Sequence, residues 1–290
     1  MHADHPLVGR IWLPAERRFA TPEELAQAAA QADFLLLGEA HDNPDHHALQ
    51  AWMVRAVATL GRRPAVAFEM LDSSQAPALA RHLASAPGDA AGLGSAVDWT
   101  KTGWPDWSTY QPIAQAALDH RLAIVTANLP RDEVRRVMKE GVRPDGLTVA
   151  ELPPALHADL AHEIRHSHCG HMPESMVAPM VAMQLIRDAL MARALVQGAA
   201  LPGSDSAVLI AGSGHVRADR GVPWQLRETA PGRVFALAFT EARPESDDPA
   251  AYGANWGAET VPFDAVWFTP LFDDTDPCAE MAKQMRDKGK

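Results

Sequence analysis

Tyrosine and cysteine are scarce in this 290-residue chain, with two of each. Cys169 and Cys278 form no C-x-x-C or similar pattern, so a thiolate zinc site has no basis in the sequence. Two cysteines alone do not fix a pairing, and the redox compartment stays open. Basic residues are outnumbered, 26 Lys and Arg against 37 Asp and Glu, for a net charge of −11. That balance argues against a nucleic-acid binder, which needs concentrated cations for phosphate, and against a polybasic membrane-surface protein. No apolar run approaches the roughly 18 residues of a membrane span. Met1-His2-Ala3-Asp4-His5-Pro6 has neither the charged nor the apolar region of a secretory signal. No internal repeat of fixed period is found.

What is present is ordinary globular composition, 47% hydrophobic and 22% charged. Short apolar runs alternate with helical stretches, which predicts an α/β fold with a largely parallel sheet flanked by helices. The runs read as strands are Phe34–Leu37, Ala65–Phe68, Leu122–Val125, Ala207–Ile210, Val234–Leu237 and Ala265–Phe268. Their near-continuous apolarity suits strands buried on both faces. Thr21-Pro22-Glu23-Glu24 opens one helix with a cap, a proline and an acidic first turn, and Asp45–Leu60 forms another, stopped by Gly61. Residues 72–109, rich in Ala, Gly, Ser and Pro, read as loop-like around Trp99, Trp104 and Trp107. Residues 131–200 carry no convincing strand and read as a smaller all-helical lobe within a single α/β domain spanning 1–290. The polar tail from Asp273 is expected to be loosely ordered or weakly helical.

Four of these strands run into polar residues: Gly38-Glu39-Ala40-His41-Asp42-Asn43, Glu69-Met70, Thr126-Ala127-Asn128 and Gly212-Ser213-Gly214-His215. Ligands of open parallel sheets bind at the carboxyl ends of strands, so these residues are expected to meet in one crevice. Glu39, His41, Glu69 and His215 are the candidate catalytic set, with an imidazole as general base and a glutamate orienting it. His41, Glu69 and His215 also form a candidate set for a divalent metal. The competing reading makes each a separate cap or turn residue. The glycines before His215 lack the full dinucleotide pattern, since Arg217 takes the last glycine position. His46 and His47 point about 100° apart on a helix, so at most one faces the site readily.

A second histidine concentration comprises His157, His162, His166, His168 and His171. His162-Glu163-Ile164-Arg165-His166 is a literal H-E-x-x-H, the zincin pattern, with Glu174 or His171 as the nearest third ligand. Leu156, Leu160 and Ile164 make the same segment amphipathic, which favours a solvated histidine face instead. Met176, Met180, Met183, Arg187 and Met191 share one helical face, either core filler or a soft wall for a large flat apolar ligand. Pro179 marks a kink or a start in that helix. Tyr110 follows an aromatic stretch, and a phenolate is a good ligand for ferric haem.

Gly38-Glu39-Ala40-His41-Asp42-Asn43-Pro44 with His46-His47 and Phe68-Glu69-Met70 resembles the ChaN family of bacterial haem-binding lipoproteins. So do Trp107-x-x-Tyr110-x-Pro112, Ala127-Asn128-Leu129-Pro130-Arg131, His168-Cys169-Gly170, Gln184-x-x-Arg187-Asp188-x-x-Met191 and Gly212-x-Gly214-His215. The similarity extends from Pro6 to about Cys278, and the wider superfamily takes in the Tiki proteases and erythromycin esterases. The resemblance implies haem binding in iron uptake, with a tyrosine ligand at a homodimer interface. Tyr110, one of only two tyrosines, is taken for that ligand on its scarcity, and His168, Met176, Met180 and Arg187 complete the cofactor-binding candidates. The resemblance also implies a periplasmic or outer-membrane lipoprotein, although this chain shows no such signal. Hydrolysis at the strand-end site, as an esterase or peptidase, is the alternative.

Overall fold

The computed structural model describes residues 1–276, 278, 279, 281 and 282. Its sheet opens with a short hairpin, β1 (Ile11–Leu13) and β2 (Arg18–Ala20), and continues with six parallel strands. These are β3 (Phe34–Glu39), β4 (Pro64–Asp72), β5 (Ile124–Asn128), β6 (Ser206–Gly212), β7 (Val234–Glu241) and β8 (Ala265–Thr269). The order across the sheet is β2-β1-β8-β7-β3-β6-β4-β5, with β3 at its centre between β7 and β6. All six apolar runs are therefore strands. The hairpin was not foreseen, because three-residue strands give too few alternations to register as a period.

Alternation along each strand splits the core into two layers. Leu35, Leu37, Val208 and Ile210 face one side, and Phe34, Leu36, Ala207 and Leu209 face the other. Helices α1 (Pro22–Ala29), α2 (Pro44–Thr59), α3 (Ala76–Ser85), α4 (Ala90–Ala96) and α5 (Trp107–Asp119) cover the first side. Thr21 caps α1 in a reciprocal capping box with Glu24. Asn43 caps α2 by accepting from the amides of Asp45 and His46, with Pro44 at the first helical position.

The segment at 72–109 is not a loop. It contains α3, α4 and a 3-10 turn over Trp99–Lys101, because its alanines favour helix despite the intervening glycines. Gly94 is required by packing: a Cβ there would meet the Trp107 ring at 2.5 Å. The indole of Trp99 donates to the carbonyl of Pro105, and that of Trp107 to the carbonyl of Ala90.

After β5 come α6 (Arg131–Glu140), α7 (Pro154–Ser167) and α8 (Glu174–Ala199). They gather their own apolar cluster, including Val137, Leu160, Ile164, Val177, Val181 and Leu185. α8 begins before Pro179 and runs through it for 26 residues. Its first half belongs to this cluster, whereas Met191 and Leu195 in its second half pack on the sheet. Gly198 permits that approach, since a Cβ there would lie 3.0 Å from the Cβ of Ala65. Cys169 and Cys278 are joined in a disulfide, which ties the tail to the turn between α7 and α8. Residues 273–276 are irregular, and the rest of the expectation for the tail falls largely outside the described residues. Among the described residues no helix is long and apolar enough to cross a membrane.

Candidate functional site

The carboxyl ends of β3, β6 and β4 bring together Glu39, His41, Glu69 and His215, as their positions after apolar strands predicted. Glu39 is the last residue of β3 and is buried. Its Oε1 accepts from the Tyr110 hydroxyl at 2.7 Å and lies 2.8 Å from Nδ1 of His41. Nε2 of His47 lies 3.3 Å from the other oxygen. Burial pushes the Glu39 carboxyl up, but its hydrogen bonds to His41 and His47 win and hold it at about 2. His41 keeps about a third of its side chain exposed and tilts against Trp104, ring centroids 4.8 Å apart.

Glu69 faces both imidazoles. Its Oε2 lies 4.0 Å from Nε2 of His41 and accepts from the amide of Gly212 at 2.8 Å. Its Oε1 lies 3.5 Å from Nε2 of His215 and accepts from Arg187. Burial opposes the charge, yet His215 and Arg187 hold the Glu69 carboxyl far below its ordinary range. Nδ1 of His215 lies 2.5 Å from Asp188, in the middle of α8. Burial lowers His215, but Glu69 and Asp188 outweigh it and raise it to about 9. His41 is raised likewise against its own desolvation, first by its bond to Glu39 and then by the charge of Glu69. Gly212 is fixed by this geometry, since a Cβ would approach Nε2 of His41 to 2.9 Å.

The arrangement is two acid–imidazole pairs, Glu39–His41 and Asp188–His215, sharing Glu69 between them. It can hold and move protons, with His41 as the half-exposed member. It does not form the expected metal centre at His41, Glu69 and His215. Among the described residues no group of three His, Cys, Asp or Glu is arranged for a metal ion. Arg187 already neutralises Glu69, and His215 spends one nitrogen on Asp188.

Of the histidine pair, His47 faces the site and His46 serves the fold. His46 accepts from the Ala40 amide and bonds to Thr269, and burial pushes it down to about 3. Asp188 was missed as a site residue. Its signal was a lone acid among Leu185, Ile186, Ala189 and Leu190, all buried. The zincin reading fails on Glu163, which is ion-paired with both Arg217 and Arg220 and is no free base. Glu174, its nearest third ligand, pairs with Arg165.

Of the haem candidates, only Met180 and Arg187 share a cleft. Tyr110 is wholly buried, stacked on His47 with ring centroids 4.2 Å apart, and its hydroxyl is committed to Glu39. The expectation that it ligates iron is therefore corrected: burial and the neighbouring Glu39 charge push its ionisation far up, away from the phenolate. His168 is bonded to the carbonyl of Ile164 in its own helix. Met176 is exposed, while Met191 lies in the sheet core, so the methionine stripe is divided along α8.

Met180 and Arg187 line a cleft of about 540 Å³ between the lobe and the sheet, together with Met70, Met138, Met183, Trp104, Lys101 and Arg131. A second cleft of about 550 Å³ opens between α6 and the first half of α8. Val137, Met138, Val149, Val181 and Leu185 wall it, His157 enters from α7, and Lys139 and Arg143 stand at its edge.

Comparison with known proteins follows the same lines. A solved structure titled cofacial heme binding to ChaN of Campylobacter jejuni matches with a TM-score of 0.69 and 22% identity, covering 89% of this chain and 95% of that one. An erythromycin esterase mutant in its open conformation matches with a TM-score of 0.50 and 13% identity, covering 93% and 99%. Both likenesses establish the fold. No curated protein matches the sequence. Residues 25–226 match the family described as haem-binding uptake, Tiki superfamily, ChaN, and the chain belongs to that family.

Proposed function

We propose that this protein binds haem in its helical lobe and takes part in haem or iron uptake. Membership of a haem-binding uptake family carries the reading. Haem needs apolar walls, cations for its two carboxylates and an iron ligand, and the lobe fits the first two. The cleft between the lobe and the sheet supplies the walls and the cations Lys101, Arg131 and Arg187, and its methionines, Met138 and Met180 among them, adapt readily to a large flat ring. Titrating the purified full chain with hemin tests the reading. A Soret shift saturating at fixed stoichiometry supports it, and a spectrum indistinguishable from free hemin sinks it.

Two finer points belong to the same proposal. The cofacial haem of the Campylobacter jejuni protein suggests two stacked haems, which here require a homodimer. Sedimentation with and without hemin measures that. The Cys169–Cys278 disulfide suits an oxidising compartment, in keeping with a periplasmic or outer-membrane-anchored protein. Fractionation of expressing cells measures that.

Hydrolysis at the strand-end site is a second reading, favoured by one observation. The Glu39–His41 pair presents an oriented, half-exposed imidazole that haem in the lobe does not use. In this reading His41 removes a proton from water and Glu39 stabilises the resulting imidazolium. An esterase and peptidase panel comparing wild type with His41→Ala decides it, and no His41-dependent turnover counts against it.

A further inference from the structure

The cleft between the lobe and the sheet meets the strand-end network at Arg187. This side chain lines the cleft, is a quarter exposed, and donates through Nη2 to Oε1 of the buried Glu69. Trp104, from the same lining, lies on the His41 ring. The other charged groups of the cleft have partners of their own, apart from the network. Lys101 pairs with Asp98 at 3.0 Å, Asp72 accepts from the amide and hydroxyl of Ser74, and Arg131 donates to the carbonyl of Thr102.

A guanidinium carries five N–H groups, and Glu69 takes one of those on Arg187, which leaves donors for an anion in the cleft. Its charge is less free, because Glu69 cancels it. A second carboxylate on Arg187 is held firmly only when the charge of Glu69 is met from its other side. Two imidazoles stand there, Nε2 of His215 at 3.5 Å from Oε1 and Nε2 of His41 at 4.0 Å from Oε2. His215 is buried and balanced by Asp188. His41 reaches solvent, and among the described residues its Nε2 makes no hydrogen bond. The ionisable groups around it are Glu39 at the end of β3, Asp42 beside it in the chain, Glu69 from β4, His215 after β6, and, one group further out, His47 of α2 and Arg187 of α8. Burial opposes its charge, but the bond to Glu39 and the charges of Glu69 and Glu39 outweigh burial and the opposing His215, raising it above its ordinary 6.5.

We propose that Arg187 anchors a ligand carboxylate in this cleft, and that the anchor is linked through Glu69 to a proton on His41, so that each tightens the other. The inference rests on the haem reading above and takes one haem carboxylate as the anion. It asks for no iron ligand and leaves a ring face free for a second haem. His41 is here a positioning residue. It touches no part of the ring, and a proton taken from solvent lets it neutralise Glu69, so that the charge of Arg187 is left for the cleft.

Soret titrations with hemin and with hemin dimethyl ester, whose carboxylates are capped, test this in wild type, Arg187→Gln and His41→Gln at pH 6.5, 7.5 and 8.5. Both compounds carry the same iron, so changes at the metal enter both titrations equally. The haem carboxylates stay ionised throughout this range. The expected result in wild type at pH 6.5 is a preference for hemin of about tenfold, the size of one hydrogen bond between charged groups, shrinking as pH rises. In Arg187→Gln the preference is largely lost at every pH. In His41→Gln it persists at a reduced level and no longer varies with pH. Equal affinity of wild type for the two compounds, or a preference undiminished in Arg187→Gln, overturns the anchor while leaving haem binding standing. A wild-type preference that ignores pH, or a pH dependence retained in His41→Gln, overturns the link. No spectral shift with hemin in wild type overturns the haem reading and the inference together.

Discussion

The hydroxyl of Tyr110 and the carboxylate of Glu39 meet at 2.7 Å although 71 positions separate them in the chain. That bond makes Tyr110 a positioning residue for the strand-end carboxylate and removes it from haem chemistry. Tyr110→Phe keeps the ring on His47 and Trp99 and deletes one bond to a charged acceptor, which Glu39 still shares with His41. The expected cost is about 1.5–3 kcal/mol, read as a lower urea midpoint at unchanged slope. Hemin affinity should not change. A lost Soret shift with an intact fold would reinstate Tyr110 as a ligand.

The two site imidazoles should respond differently to truncation. His41 is partly exposed, but its partner Glu39 is buried and keeps Tyr110 and His47 when the imidazole is lost, so His41→Ala is expected to cost about 1.5–3 kcal/mol. His215 is buried against Asp188 and Glu69. Its removal strands the Asp188 carboxyl without its partner, and His215→Ala should cost about 3–5 kcal/mol. Denaturant melts of the two single variants separate these values. Equal losses would contradict the burial difference.

These differences explain what was legible in the sequence. The six parallel strands were, because burial on both faces leaves an unbroken apolar run such as Phe34–Leu37. The polar residues after them were legible for the same reason, since Glu39 and His215 interrupt patterns that otherwise continue. Asp188 was obscured because it lies on a helix, one carboxylate among buried aliphatics, with no run to interrupt. Tyr110 was misread because scarcity says nothing about exposure. The helices within 72–109 were hidden by glycines such as Gly94, which answers to Trp107 and not to a turn.

His46 should set part of the acid sensitivity. Burial lowers it to about 3 in the folded chain, against about 6.5 when unfolded. Between those values the unfolded chain takes up a proton that the folded chain refuses, so stability falls as pH drops from 6.5 toward 3. Glu39 acts in a lower window: its depressed carboxyl contributes stability above its ordinary value of about 4.5 and loses it as pH falls toward 2. His46→Gln removes the first effect and leaves the second. Urea midpoints at pH 7, 6 and 5 should therefore fall less steeply in the variant than in wild type. Parallel slopes would mean that His46 titrates normally.

The disulfide is the last element open to direct test. Joining Cys169 to Cys278 closes 109 residues of chain, and in the chain-entropy account a loop of that size contributes about 4–5 kcal/mol by restricting the unfolded state. Cys278→Ser should lower stability by up to that amount, and reduced wild type should match it. The lobe is the part expected to loosen, because the bond ends at the turn between α7 and α8, where Cys169 and Gly170 both hold positive φ. Thiol titration of the native protein purified without reductant checks the premise. Two reactive thiols per chain would refute the pairing, and with it the argument for an oxidising compartment.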